Sequence, residues 1–138
     1  MNRLLCTVLV ALIVCPLRVA VEPATLGPAP EGSFSIVVIP DTQEYRGEGT
    51  KATPESKDPV TNRPFADHVQ WILANLQRQR IAFVSHVGDI VDKNVPAQWE
   101  VARQCMDRLH GRVPYGIGLG NHDLKASGDS SLFQQDFP

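Results

Sequence analysis

Three short apolar runs, Phe34 to Ile39, Ile81 to Val87 and Val113 to Leu119, alternate with two stretches whose apolar residues recur at helical spacing. No other feature narrows the fold as much. Short apolar runs bounded by turn formers read as strands of a buried sheet, and a stripe at i, i+4, i+7 reads as a helix lying on one. Pro64 opens the first helical stretch, where Phe65, Val69, Ile72, Leu73 and Leu76 form the stripe. In the second, Asn94 is placed to cap the helix, Trp99, Ala102, Met106 and Leu109 mark its inner face, and Gly111 ends it. Strand, helix, strand, helix, strand predicts an α/β fold with mainly parallel strands joined by right-handed crossovers. Ile36, Val37, Val38 and Ile39 in succession predict a first strand buried on both faces. The glycines and Pro114 weaken the third strand.

The N-terminal stretch "MNRLLCTVLVALIVC" sets Arg3 before an apolar run that Pro16 ends, the pattern of a secretory signal. The run is shorter than the roughly 20 residues of a membrane-spanning helix. Residues 1–20 are expected to be the signal, 21–33 a Pro/Gly/Ala-rich linker, and 34–138 the folded domain. The expected location is secreted or periplasmic, with membrane attachment only if the segment stays uncleaved. Losing Arg3 and Arg18 from 13 basic residues leaves 11 against 15 acidic ones, so no basic patch is expected to hold a nucleic acid. Cys6 and Cys15 leave with the signal. Cys105 then stands alone and reads as a buried helix thiol, which excludes a disulfide framework and a cysteine-rich zinc module.

Chemistry concentrates where the three strands end. There the chain reads "PDTQ" (40–43), "GDIVD" (88–92) and "GNHD" (120–123). In a parallel sheet these ends lie along one edge, the edge at which open α/β sheets bind ligands. Asp41, Asp89 and Asn121 supply oxygen donors suited to hard divalent cations, and a carboxylate can bridge two of them. Gly88 and Gly120 permit sharp turns and close backbone approach. His122 adds a group able to exchange a proton near neutral pH, and Asp123 beside it is an acid in sequence position to fix its tautomer.

"GDIVD" and "GNHD", about 30 residues apart and preceded by an Asp-x-x motif after the first strand, resemble the opening motifs of the calcineurin-like metallophosphoesterases. The resemblance covers residues 34–123. It implies the N-terminal half of a β-sandwich flanked by helices, and two divalent ions (Mn, Fe, Zn or Mg). It also implies hydrolysis of a phosphate ester, either a small molecule or a phosphorylated substrate, by a metal-activated hydroxide. By the same resemblance Asp41 and Gln43 would bind the first metal, Asp89 would bridge both, and Asn121 would bind the second. His122 would contact phosphate or protonate the leaving group, with Asp92 and Asp123 supporting the catalytic site.

Two departures stand out. The family's first motif usually reads Asp-x-His, whereas here it is Asp41-Thr42-Gln43. The family also carries further histidines downstream, including a Gly-His-x-His motif, and no histidine follows His122. The chain is therefore expected to be the front part of a longer enzyme, binding metal weakly and turning over poorly alone. The alternative from another class is a non-catalytic exported binding domain whose acids hold one structural cation at most. His86 is expected to be a hydrogen-bonded strand residue, His68 and His110 to face solvent, and Trp71 and Trp99 to pack on helices. "DIVDKN" lacks the glycine and final Glu of an EF-hand loop, and no P-loop, dinucleotide fingerprint or nucleophilic Ser or Cys triad is evident.

Overall fold

The computed structural model describes residues 26–137. The expected signal segment and the first part of the linker lie outside the described residues. The elements run β1 (Ser35–Ile39), α1 (Arg63–Asn75), β2 (Ile81–His86), α2 (Pro96–Asp107), β3 (Tyr115–Ile117) and α3 (Ser131–Asp136). The strands form one parallel sheet in the order β1-β2-β3, so the α/β class expected from the alternation holds.

Strand order decides which surface is covered. Each crossover steps to the next strand in the same direction, and crossovers of one hand stepping one way put their helices on one face. Phe65, Val69 and Ile72 of α1 and Trp99, Ala102 and Met106 of α2 accordingly share a single core with Ile39, Ile81 and Val84. Period-two alternation aims the intervening residues the other way. Ile36 and Val38 are each 57% exposed and Phe83 is 36% exposed. The expectation that β1 is buried on both faces is thus corrected, since among the described residues its outer face has no covering layer. A register shift between Ser35 and Ile36 places Ile36 beside Phe83, which leaves both Ile81 and Val84 facing the core.

Local caps differ from expectation in instructive ways. Asn62 precedes α1 and its side chain accepts a bond of 3.1 Å from the backbone N–H of Phe65. Asn94 does not cap α2. The flanking residue is Val95 with Pro96 opening the helix, because the Asn94 amide is already engaged, accepting from Trp99 Nε1 at 2.8 Å and donating to the Asp123 carbonyl at 3.0 Å. α2 ends at Asp107, and Gly111, at φ 69°, turns the chain toward β3 instead of closing the helix. Trp71 faces solvent at 45% exposure, against the packing role expected of it, while Trp99 is fully buried. α3 has no counterpart in the sequence reading. Its Phe133, and Phe137 just after it, meet the Trp99 ring edge-on at centroid distances of 5.9 and 6.4 Å.

Candidate functional site

The tips of β2 and β3 meet backbone to backbone. Gly88 sits at φ 107°, and a Cβ there would lie 2.5 Å from the Gly120 nitrogen. A Cβ on Gly120 would lie 2.1 Å from Asp89 Oδ1. Asp89 itself holds φ 49°, a left-handed conformation uncommon for a residue with a side chain. Strain of this kind persists where the surroundings over-determine it, and it concentrates at functional sites. Here the determinant is visible: Asp89 Oδ1 accepts the His122 backbone N–H at 2.9 Å, so the acid is aimed at the β3 loop.

The β1 loop is tied to the same point from the other side. Thr42 N–H donates to the Asp89 carbonyl at 3.1 Å. His86, fully buried at the end of β2, accepts from Gly88 N–H through Nδ1 at 3.2 Å. That contact leaves the proton of the neutral ring on Nε2, which donates to Thr42 Oγ1 at 3.1 Å. The Thr42 hydroxyl in turn donates to the Ile90 carbonyl at 3.0 Å, where the Tyr45 hydroxyl also donates at 3.0 Å. Burial pushes the His86 pKa down to about 4, and the nearby Asp41 charge offsets this only in part. His86 is the hydrogen-bonded strand residue the sequence leads one to expect, and it remains neutral at physiological pH.

Asp123 does a different job from the one its sequence position invites. Its carboxylate is fully buried and accepts three backbone N–H groups, from Ile90 (2.8 Å), Val91 (3.1 Å) and Gly120 (2.9 Å). Burial raises its pKa against the lowering effect of those bonds. It does not set the tautomer of His122. The Asp92 carbonyl does, accepting from His122 Nδ1–H at 2.8 Å and leaving Nε2 unengaged. Asp92 is held in turn by Gln98, whose side-chain oxygen accepts from the N–H groups of Asp92 (2.9 Å) and Lys93 (2.8 Å).

The backbones bearing Asp41, Asp89 and Asn121 therefore adjoin one another around Asp89. Asp41 and Asn121 are exposed, and Asp89, Asp92 and His122 are half-buried. Oxygen donors of this kind suit a hard divalent cation. Among the described residues no three His, Cys, Asp or Glu side chains form a metal-holding group, so the pair of ions implied by the resemblance has no complete ligand set here. The buried amide nitrogen of Gln43 has no hydrogen-bond partner, while a cation would take the carbonyl oxygen of this side chain, the atom on which the resemblance calls. His68, on α1, and His110, in the turn after α2, are exposed.

Several residues that build the site escape a motif search. Thr42 and Gln98 are ordinary in sequence, and only their contacts mark them. Asn62 carried a signal, since Asn before Arg-Pro and an apolar stripe is a helix-start pattern. Its amide also donates to the Thr42 carbonyl, so the α1 cap and the β1 loop share one side chain.

No family model matches the chain. The uncharacterized protein YvnB of Bacillus subtilis (strain 168) is 32% identical over 99 residues, which is 70% of this chain and 7% of that protein. A solved structure of the purple acid phosphatase PPD1 from yellow lupin (Lupinus luteus) seeds aligns with a TM-score of 0.49 and 22% identity, over 81% of this chain and 21% of that one. The chain thus spans only a small part of the length of each of these two proteins.

Proposed function

We propose that this domain supplies the front half of a metal-dependent phosphate-ester hydrolase. The observation that carries the proposal is the junction at Asp89, where Thr42 N–H reaches its carbonyl and His122 N–H reaches its carboxylate. That junction gathers three strand ends bearing two acids, an amide oxygen and an imidazole, and the motifs on them resemble those of the calcineurin-like metallophosphoesterases.

Asp41, Asp89 and Asn121 would hold a divalent cation, with the remaining ligands coming from outside residues 26–137. Bound there, a cation supplies charge neutralisation on the phosphoryl oxygens. His122 performs the proton step. With Nδ1–H fixed on the Asp92 carbonyl, Nε2 is the nitrogen left to exchange a proton, and it hands one to the leaving oxygen only after taking it up to form the imidazolium. His86 and Asp123 hold the three loops in register without touching substrate.

The test pairs metal binding with turnover. Calorimetric titration of the chain with Mn²⁺ or Zn²⁺ is expected to give weak binding that Asp89→Asn and Asp41→Asn each reduce by about tenfold or more. In a longer polypeptide that hydrolyses p-nitrophenyl phosphate, Asp89→Asn is expected to lower kcat by at least about a hundredfold. Unchanged metal binding and unchanged turnover in these variants would sink the proposal in favour of a binding domain.

A further inference from the structure

The imidazole of His122 is aimed from the start of α2. The Asp92 carbonyl and the Lys93 N–H belong to one peptide unit, and in a planar trans peptide these two groups point in opposite directions. No peptide among the described residues is cis. Gln98 Oε1 accepts from Lys93 N–H at 2.8 Å on one side, so the carbonyl on the other side is turned toward His122 Nδ1, which it meets at 2.8 Å. Gln98 also accepts from Asp92 N–H at 2.9 Å, and the Lys93 carbonyl accepts from Val95 N–H at 2.8 Å. The peptide units on either side of Lys93 are thereby both held.

A side-chain oxygen, one peptide group and a ring N–H thus form a single chain of hydrogen bonds, in which each bond polarises the next. Gln98 is 1% exposed, and a polar side chain so buried is sustained by the bonds it makes. The other supports of His122 do not pass through Gln98. Its backbone N–H goes to Asp89 Oδ1 at 2.9 Å, and the carbonyl of the next residue, Asp123, accepts from Asn94 Nδ2 at 3.0 Å. Gln98 therefore governs the orientation and tautomer of the ring, while Asp89 and Asn94 hold the loop that carries it.

We propose that Gln98 is a positioning residue for the proton step: through the Asp92–Lys93 peptide it keeps the hydrogen of the neutral His122 ring on Nδ1 and leaves Nε2 free to exchange. The inference rests on the phosphate-ester function above and adds to that site a residue that no motif marks. The imidazolium gives its Nε2 proton to the leaving oxygen as the bond between phosphorus and that oxygen breaks. The neutral ring that remains carries its hydrogen on Nδ1, where the Asp92 carbonyl accepts it. Asp92 acts here through its backbone, and its carboxylate is not required for this task.

The tautomer is read without turnover, by ¹⁵N NMR of the full chain at a pH that leaves imidazoles neutral. Wild-type His122 is expected to show the Nδ1–H form. Gln98→Leu, and Gln98→Asn, which withdraws the oxygen by one methylene, are each expected to lower the ratio of Nδ1–H to Nε2–H by about fivefold or more, the worth of one hydrogen bond. Gln98→Glu keeps an acceptor and Asp92→Asn keeps the carbonyl, so both should retain the wild-type ratio. An Nε2–H ring in the wild type, a ratio unchanged in Gln98→Leu and Gln98→Asn, or one shifted by Asp92→Asn overturns the inference alone. If neither Gln98→Leu nor Gln98→Asn folds, the wild type decides: a scalar coupling between the Lys93 amide nitrogen and the Gln98 side-chain carbonyl carbon is expected, and its absence overturns the inference. In a longer polypeptide that hydrolyses both esters, Gln98→Asn is expected to lower kcat about tenfold for phenyl phosphate and less for p-nitrophenyl phosphate, whose leaving oxygen has less need of a proton. A shifted ratio with kcat unchanged for both esters overturns the proton step assigned to His122, and the role of Gln98 in it.

Discussion

At the scale of single residues, the site is held by side chains that do no chemistry. His86 is the clearest, because its two ring nitrogens join the β1 and β2 loops only while the ring is neutral. An unfolded histidine titrates near 6.5, and the buried one near about 4. Between those values the unfolded chain binds a proton that the folded chain refuses. Stability is therefore complete above about pH 6.5 and is lost as pH falls toward 4, by roughly 3 kcal/mol for a shift of this size. Urea unfolding at stepped pH is expected to show that slope, and His86→Gln should flatten it. Gly120 is equally constrained for a different reason. Its missing Cβ is the space that Asp89 Oδ1 occupies, and Gly120→Ala is expected to cost about 3 kcal/mol or more, read as a lower midpoint in the same titration.

Among elements, the coupling between a helix start and a loop matters most. Asn62 caps α1 through its oxygen and holds the Thr42 carbonyl through its nitrogen, so one amide ties the covering layer to the residue between Asp41 and Gln43. Asn62→Ala is expected to destabilise by about 1–3 kcal/mol, more than a cap alone, because a buried carbonyl loses its donor as well. Asn62→Asp keeps the cap and loses the donor. Thermal melts of the two variants therefore separate the contributions. α2 shows the converse, since its first turn gives up a side-chain cap so that Asn94 and Gln98 can brace Trp99, Asp92 and Asp123.

For the whole molecule, one sheet face is packed and, among the described residues, the other is bare. Ile36, Val38 and Phe83 form an exposed apolar strip on a face where soluble domains normally carry polar residues. The isolated chain is expected to bind a hydrophobic dye such as ANS and to be sparingly soluble, and the double change Ile36→Thr, Phe83→Thr should reduce both. Since these side chains make no core contact, the unfolding midpoint is expected to move by less than about 1 kcal/mol. A large loss of stability would show that the strip already packs against the chain itself.

The sequence alone was enough to determine the alternation of strands and helices, the stripes that form the core, and the convergence of "PDTQ", "GDIVD" and "GNHD" on one sheet edge. These follow from periodicity and handedness, which are local properties of a chiral chain. It could not determine which face of β1 is covered, since that depends on strand order, nor that Trp71 lies outside while Trp99 lies within. The division of labour at the site was also hidden. Asp123 stands next to His122 in the chain, yet its carboxylate serves Ile90, Val91 and Gly120, while a carbonyl some thirty residues earlier, that of Asp92, orients the imidazole. Hydrogen bonds are settled by distance and direction in space, and only the packed tertiary structure brings those donors and acceptors within reach.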